Sequence, residues 1–198
     1  MANNKDWTGN SRSVYSILGS SSHSEKDREL NDYYATQPIA VEKLLDYYEL
    51  PHCIWEPACG EGHISKLLVD KGFEVISQDL VDRGYGEGGV DFFKQDKAPF
   101  TCNHAIVTNP PYKYACDFVK HAIELSPVVV MYLKTTFLES QRRYDEIFSK
   151  YRPKWMFQFV RRYGCMKNGI FDGDGAVAYA WYVWERDYNG DTMIRWIP

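Results

Sequence analysis

The sequence predicts an α/β protein with a seven-stranded, mostly parallel sheet, helices on both faces and an antiparallel last strand. Short apolar runs typical of buried strands alternate with segments whose apolar residues recur at helical spacing. A predicted strand, a glycine turn and a predicted helix follow one another over residues 53–69. The last two predicted strands, 155–160 and 176–184, have no helix between them, so we expect the final strand to run antiparallel.

Composition indicates one globular domain. The chain has 198 residues, of which 44% are hydrophobic and 25% charged, as in ordinary soluble proteins. No apolar run reaches the ~20 residues that span a bilayer, and residues 1–24 lack the apolar core of a secretory signal. We therefore expect a cytoplasmic protein. Residues 1–30 have few apolar anchors and are predicted to form a flexible arm, and residues 31–198 to form the single domain.

Metal sites and disulfides are not expected. The five cysteines are odd in number and include no C-x-x-C pair, and no histidine lies at metal-ligand spacing from a cysteine or another histidine. Packed thiols and histidines are the better interpretation.

The first predicted helix opens near Pro38. Apolar residues recur at helical spacing from Ile39 to Tyr48, and Thr36 is placed to cap the helix, with Pro38 in its first turn. The free N–H groups at such a helix start can bind a carboxylate.

A Rossmann-like nucleotide-binding fold is indicated by the next two strands. The strand predicted at 53–58 enters the turn Cys59-Gly60-Glu61-Gly62, and the strand predicted at 74–78 ends in Asp79, about twenty residues beyond the glycines. An acid at that position holds ribose hydroxyls in such folds. The glycine turn and Asp79 together are a stronger signal than either alone.

A brief strand is predicted at 90–93, after a glycine-rich loop. Asp91 beside Phe92 and Phe93 suits the edge and face of an adenine ring. For one of the two phenylalanines, ordinary core packing is the better interpretation.

The motif Asn109-Pro110-Pro111-Tyr112 follows the apolar run 105–107, where a buried parallel strand would end and ligands bind. Two prolines cannot continue the strand, because neither has an N–H group and each restricts φ. The motif therefore presents an amide, a Pro110 carbonyl and an aromatic ring that can grip a planar amine. A proline-stiffened turn with a packing tyrosine is the alternative.

The C-terminal half adds predicted helices around 118–125 and 144–148 and a strand at 128–133. The segment from Lys134 to Lys167 carries +6 while the rest of the chain carries −10, since the net charge is −4. Such a segment can form a phosphate-binding face or a solvated helix surface.

Four features resemble, in their order and spacing, the motifs of class I S-adenosylmethionine-dependent methyltransferases. They are the stretch from Glu56 to Gly62, Asp79, Asp91-Phe92 and Asn109-Pro110-Pro111-Tyr112. More narrowly, residues 32–38 and 180–184 are similar to those of small phage and prophage DNA adenine N6-methyltransferases. The resemblance covers residue 32 to the C-terminus.

The resemblance implies that S-adenosylmethionine is the cofactor and that a defined set of residues binds it. These are Thr36 at the carboxylate, Glu56 at the amino group, the turn with Ala58, Gly60 and Gly62 at the methionine part, Asp79 at the ribose, and Asp91 and Phe92 at the adenine.

The same resemblance implies the chemistry of the acceptor. The amine of adenine is a poor nucleophile, since its lone pair is delocalised into the ring. The Asn109 oxygen and Pro110 carbonyl would accept its hydrogens, with Pro111 stiffening the turn, and Tyr112 would stack on the base after it leaves the duplex.

DNA is the expected partner, although no separate target-recognition domain is evident. Contacts to nucleic acid are predicted for Lys134, Arg142, Arg143, Lys167, Asn168 and Phe171. RNA adenine and protein glutamine are alternative acceptors because both present a planar NH2, and a catalytically idle cofactor-binding module is a further alternative. The oligomeric state stays open.

Overall fold

The computed structural model describes residues 34–165 and 177–198. The predicted arm, and Lys167, Asn168 and Phe171, lie outside the described residues. The helices are α1 (Pro38–Leu45), α2 (His63–Asp70), α3 (Ala115–Leu125) and α4 (Gln141–Arg143), which continues into a π-helical turn, Tyr144–Phe148. The strands are β1 (Cys53–Glu56), β2 (Glu74–Ser77), β3 (His104–Thr108), β4 (Val128–Lys134), β5 (Trp155–Phe159), β6 (Tyr179–Glu185) and β7 (Met193–Ile197).

The seven strands form one sheet in the order β2-β1-β3-β4-β6-β5-β7. β6 runs antiparallel to both of its neighbours, and every other pair is parallel. The predicted α/β fold with a mostly parallel sheet is therefore confirmed.

Helices cover both faces of the sheet because alternate side chains of each strand point to opposite sides. On β3, Ala105 and Val107 belong to the core under α1 and α2, whereas Ile106 belongs to the core under α3. β6 shows the same alternation, and the Trp181 indole N–H donates to the Ala40 carbonyl at 2.8 Å, which ties α1 to the sheet.

Two predictions about the strands are wrong, although the total of seven is right. Residues 90–93 form no strand: Phe92–Lys94 is a 3₁₀ turn, and the Asp91 side chain caps it by accepting from the Phe93 N–H. The missed strand is β7, which follows the antiparallel strand in sequence and pairs parallel to β5. The antiparallel strand is therefore not the last one in the chain.

Within residues 34–165 and 177–198, no helix is long and apolar enough to cross a membrane.

Candidate active site

The predicted site residues follow the carboxyl ends of adjacent parallel strands, which share one edge of the sheet. Glu56 ends β1, Asp79 follows β2, Asn109 follows β3 and Lys134 ends β4. Because β6 is antiparallel, its first residue, Tyr179, pairs with Lys134 at this edge. We call the region around Glu56 and Asp79 the cofactor half, and the region around Asn109 and Lys134 the acceptor half.

The Asn109 amide is held firmly on one side only. Its Nδ2 donates to the Tyr34 carbonyl at 2.8 Å, to the Thr36 hydroxyl at 3.1 Å and to the Cys165 sulfur at 3.5 Å. Its Oδ1 is buried and has no hydrogen-bond partner in the described part of the chain. The reverse orientation of the amide would place Oδ1 against the Tyr34 carbonyl, which can only accept. The NH2 group therefore faces Tyr34, and the oxygen faces the opposite side.

Thr36 has a different local role from the one predicted. Gln37 occupies the N-cap position of α1 without a side-chain capping hydrogen bond, while the helix does begin at Pro38 as expected. Thr36 is 2% exposed, and its hydroxyl accepts from Asn109 instead of capping the helix.

Tyr112 is surrounded by other side chains. Its hydroxyl donates to the Cys165 sulfur at 3.0 Å, and its ring stacks on the Tyr34 ring with centroids 5.0 Å apart and an interplanar angle of 29°. The Lys134 ammonium lies 4.7 Å from the centroid of the same ring. The Tyr34 ring and the Lys134 ammonium therefore both lie against the Tyr112 ring.

The described groups that hydrogen-bond with Asn109 and Tyr112 are neutral, and the Lys134 ammonium lies by the Tyr112 ring. Burial raises the pKa of Cys165 to about 11 and holds the pKa of Tyr112 and of Tyr179 well above the ordinary tyrosine value. All three keep their protons at neutral pH. The acceptor half thus offers hydrogen bonds and aromatic surface to a substrate, and none of these three groups is a base.

Glu56 caps a helix in this structure. Its Oε2 accepts from the Ser65 backbone N–H at 2.9 Å and from the Ser65 hydroxyl, in the first turn of α2. The side chain is buried, and burial raises the pKa of Glu56 to about 8. A structural role for Glu56 is therefore directly visible, whereas its predicted contact with the cofactor amino group stays a prediction.

The glycine turn is joined to Asp79 and to the loop that follows it. Asp79 accepts from the Gly60 N–H at 2.8 Å through Oδ2 and from the Val81 N–H at 2.9 Å through Oδ1. Gly62 has φ of +81°, and a Cβ there would overlap the Tyr85 ring. Gly62 thus faces a tyrosine ring in this structure.

The remaining predicted cofactor residues differ in accessibility. Phe92 is 3% exposed and stacks on Phe118 with centroids 4.7 Å apart, which fits the packing interpretation, whereas Phe93 is 42% exposed. The Asp91 carboxylate lies 3.6 Å from the Lys94 ammonium, and Ala58 is half-buried in the turn after β1.

Among the predicted nucleic-acid contacts within the described ranges, Lys134 is the one that touches the acceptor half. Arg142 pairs with Glu146 at 2.7 Å, and Arg143 donates to carbonyls that include Thr136 and Glu139. Both arginines are therefore engaged with neighbouring parts of the fold.

Four residues of this region were not predicted to have a role: Tyr34, Tyr85, Cys165 and Tyr179. Tyr85 could have been singled out from the sequence, since it is a lone aromatic residue in a glycine-rich loop. Cys165 could not, because a single cysteine has no spacing pattern to interpret.

No family model and no curated protein matches the chain. Several solved structures do match it in fold. A modification subunit assigned to a type I restriction enzyme of Vibrio vulnificus has a TM-score of 0.55 at 11% identity, over 88% of this chain and 49% of that one, so the chain spans about half of that protein.

Two further structures are similar in fold. A protein of Pyrococcus horikoshii assigned as an RNA methyltransferase has a TM-score of 0.55 at 17% identity, over 88% of this chain and 98% of that one. A protein of Listeria monocytogenes assigned as a class I S-adenosylmethionine-dependent methyltransferase has a TM-score of 0.50 at 10% identity, over 94% and 71%. The chain therefore shares the fold of class I S-adenosylmethionine-dependent methyltransferases.

Proposed function

We propose that the chain transfers a methyl group from S-adenosylmethionine to the exocyclic N6 amine of adenine in DNA. The observation that carries the proposal is the Asn109 amide, whose buried Oδ1 has no partner in the described part of the chain while its NH2 group is fully engaged. A buried acceptor without a donor is costly, and a substrate N–H would satisfy it.

The proposed cofactor fits the cofactor half in part. The turn at Gly60, joined to the Asp79 carboxylate, suits a close backbone approach beside a group that accepts from ribose hydroxyls. Beside Asp91, the exposed Phe93 is better placed than the buried Phe92 to meet an adenine face. The Tyr85 ring on Gly62 would have to shift, or to become part of the binding surface. When bound, the cofactor supplies an electrophilic methyl carbon on a sulfonium.

Hydrogen bonding and orientation are the contributions of this chain to the reaction. Asn109 Oδ1 and the Pro110 carbonyl accept the two amine hydrogens, which favours a pyramidal nitrogen and directs its lone pair. Pro110 and Pro111 restrict the backbone that carries both acceptors. The protonated states of Cys165 and Tyr112 agree with a mechanism that relies on geometry more than on a general base. The amine nitrogen would bond to the methyl carbon as the carbon–sulfur bond breaks, and the proton then lost from the nitrogen would pass to solvent.

A nucleic-acid acceptor is supported by two observations. Lys134, the first residue of the basic segment, touches the Tyr112 ring that would stack on the base. Two of the proteins with a similar fold are assigned to nucleic-acid modification, one in restriction and one on RNA.

The substrate is tested by incubating the protein with labelled S-adenosylmethionine and DNA, RNA or protein extract, digesting each, and identifying the methylated species. We expect N6-methyladenine from DNA. Label found only in RNA, or only as methylglutamine, would contradict the choice of DNA while leaving the planar-amine mechanism in place. Absence of label from all three would refute the function itself.

Substitution of Asn109 tests the mechanism. Asn109→Ala removes the Oδ1 acceptor, so we expect turnover to fall by about 10²–10³-fold, the usual loss when one positioned hydrogen-bonding group is removed. Cofactor affinity, measured by calorimetry, should stay close to that of the wild type. Asn189→Ala is the matched control, because Asn189 is exposed between β6 and β7. Preserved turnover in Asn109→Ala would show that the amide does not orient the acceptor.

A further inference from the structure

The segment just before α1 supplies two of the three acceptors that the Asn109 NH2 group contacts. The Tyr34 carbonyl and the Thr36 hydroxyl both accept from Asn109 Nδ2, at 2.8 and 3.1 Å, although they lie 75 and 73 residues away in the chain. Thr36 is 2% exposed, so its hydroxyl lies within the protein against Asn109.

The orientation of this amide matters because its two ends have opposite hydrogen-bonding character. An amide end group rotates over a broad range, so an asparagine that lacks fixed partners can present either oxygen or NH2 to a ligand. Only the oxygen can accept from an amine. In the structure, three acceptors lie on the NH2 side, the third being the Cys165 sulfur at 3.5 Å, and none of the described residues donates to Oδ1.

We propose that Thr36 is a positioning residue for the transfer: its hydroxyl oxygen, together with the Tyr34 carbonyl, holds the Asn109 NH2 group so that Oδ1 faces the acceptor amine. The inference rests on the proposed function. It differs from the role that the resemblance implies for Thr36, which is to receive the carboxylate of the cofactor. The two roles predict losses in different constants, turnover in one case and cofactor affinity in the other.

The test compares Thr36→Val, which keeps the shape and removes the acceptor, with Thr36→Ser, which keeps the hydroxyl. Thr108→Val is the matched control: it makes the same change one residue before Asn109, at a buried hydroxyl without a partner in the described chain. For each variant, kcat is measured at saturating cofactor, the cofactor Kd by calorimetry, and the Asn109 side-chain amide signals by ¹H–¹⁵N NMR, assigned by their loss in Asn109→Ala.

We expect Thr36→Val to lower kcat by about 10–100-fold, the size of effect that a small misplacement produces, with the cofactor Kd unchanged. The Asn109 amide signals should shift more in Thr36→Val than in Thr108→Val. Thr36→Ser should restore both kcat and the signals. A structural role alone would not produce this combination in a folded protein.

Two results would overturn the inference. One is a weaker cofactor Kd in Thr36→Val with kcat at saturation retained, which would assign Thr36 to the carboxylate. The other is unchanged Asn109 amide signals in that variant. If the wild type methylates no planar amine, the proposed function fails and the role of Thr36 in transfer fails with it, but an amide shift would still show that Thr36 holds Asn109.

Discussion

The buried carboxyl group of Glu56 serves the structure whether or not a cofactor binds. It accepts from Ser65 at the start of α2, and the Ser77 hydroxyl donates to the Ser65 hydroxyl at 2.6 Å, which continues the network to the end of β2. Burial raises the pKa of Glu56 to about 8, and repulsion from Asp79 acts in the same direction. Near pH 7 the group is therefore mostly protonated, and an ammonium bound beside it would favour the charged form.

A pH dependence of stability follows from this shift. The folded pKa, about 8, lies above the ordinary value of 4.5, so between these values the folded state binds more protons than the unfolded state. The free energy of unfolding of the wild type should fall as the pH rises from 5 to 8, and Glu56→Gln should remove a fall on the order of a few kcal/mol. Gln also keeps an acceptor for Ser65.

Urea unfolding at several pH values across this range measures the effect, with the exposed Glu49→Gln as control. A difference between Glu56→Gln and wild type that does not change with pH would mean that the Glu56 carboxyl titrates as an ordinary glutamate.

The turn between β1 and α2 is a packed element as well as a candidate binding loop. Tyr85 lies against Gly62, the Lys66 ammonium is 4.8 Å from the Tyr85 ring centroid, and the Cys59 thiol contacts the Tyr85 carbonyl at 3.5 Å. The second glycine is therefore required for two reasons that do not involve a cofactor: its positive φ and the room that Tyr85 occupies.

A comparison of Gly62 with Gly72, which has a similar positive φ, distinguishes the effect of the backbone angle from the effect of Tyr85 packing. Gly72, with φ of +90°, has nothing within 4 Å of its Cβ position, so Gly72→Ala should cost about 1–2 kcal/mol from the left-handed backbone alone. Gly62→Ala should cost about 1–3 kcal/mol more, because Tyr85 must move. Tyr85→Ala combined with Gly62→Ala should remove most of the extra cost.

Urea unfolding of the four variants and the wild type measures these costs, with Tyr85→Ala alone completing the cycle. Equal costs at Gly62 and Gly72 would show that the Tyr85 ring moves freely and that its packing does not require a glycine.

At the scale of the whole molecule, acidic side chains neutralise part of the basic segment that begins at Lys134. Arg142, Arg152 and Lys154 pair with acidic side chains, at 2.7, 3.3 and 2.8 Å. These pairs are partly or largely exposed and contribute little to stability, but they neutralise part of the positive surface. Lys134 differs because it lies at the acceptor half.

If the acceptor is DNA, Lys134 should be one of the phosphate or base contacts. Lys134→Gln should weaken binding and lower the slope of log K against log salt by about 1, as expected for the loss of one phosphate contact. Arg152→Gln, which removes a cation paired with Asp191, should change the slope less. Fluorescence anisotropy over a salt series gives both slopes. A slope in Lys134→Gln equal to that of the wild type would exclude a phosphate contact for Lys134.

Most of the sheet could be predicted because its strands are apolar runs in contact with helices. β4 was expected at 128–133 and spans Val128–Lys134, and β5 was expected at 155–160 and spans Trp155–Phe159. β7 was missed because it is an edge strand: Ile194 and Trp196 are 51% and 65% exposed, so its sequence lacks the pattern of a buried strand.

The order of elements along the chain is largely a local property, so the sequence specifies most of it. Strand, glycine turn and helix follow from neighbouring residues, and so does the rigid exit at Asn109, because proline restricts its own backbone and that of the residue before it.

Orientation and burial depend instead on contacts between distant segments, and these are visible only in three dimensions. The Asn109 amide points as it does because of residues 34 and 36, and Phe92 is buried because Phe118 and Trp55 enclose it. Tyr85 meets Gly62 because the loop after β2 folds back over the turn after β1. No local pattern encodes such contacts, since each joins residues that lie far apart in the sequence.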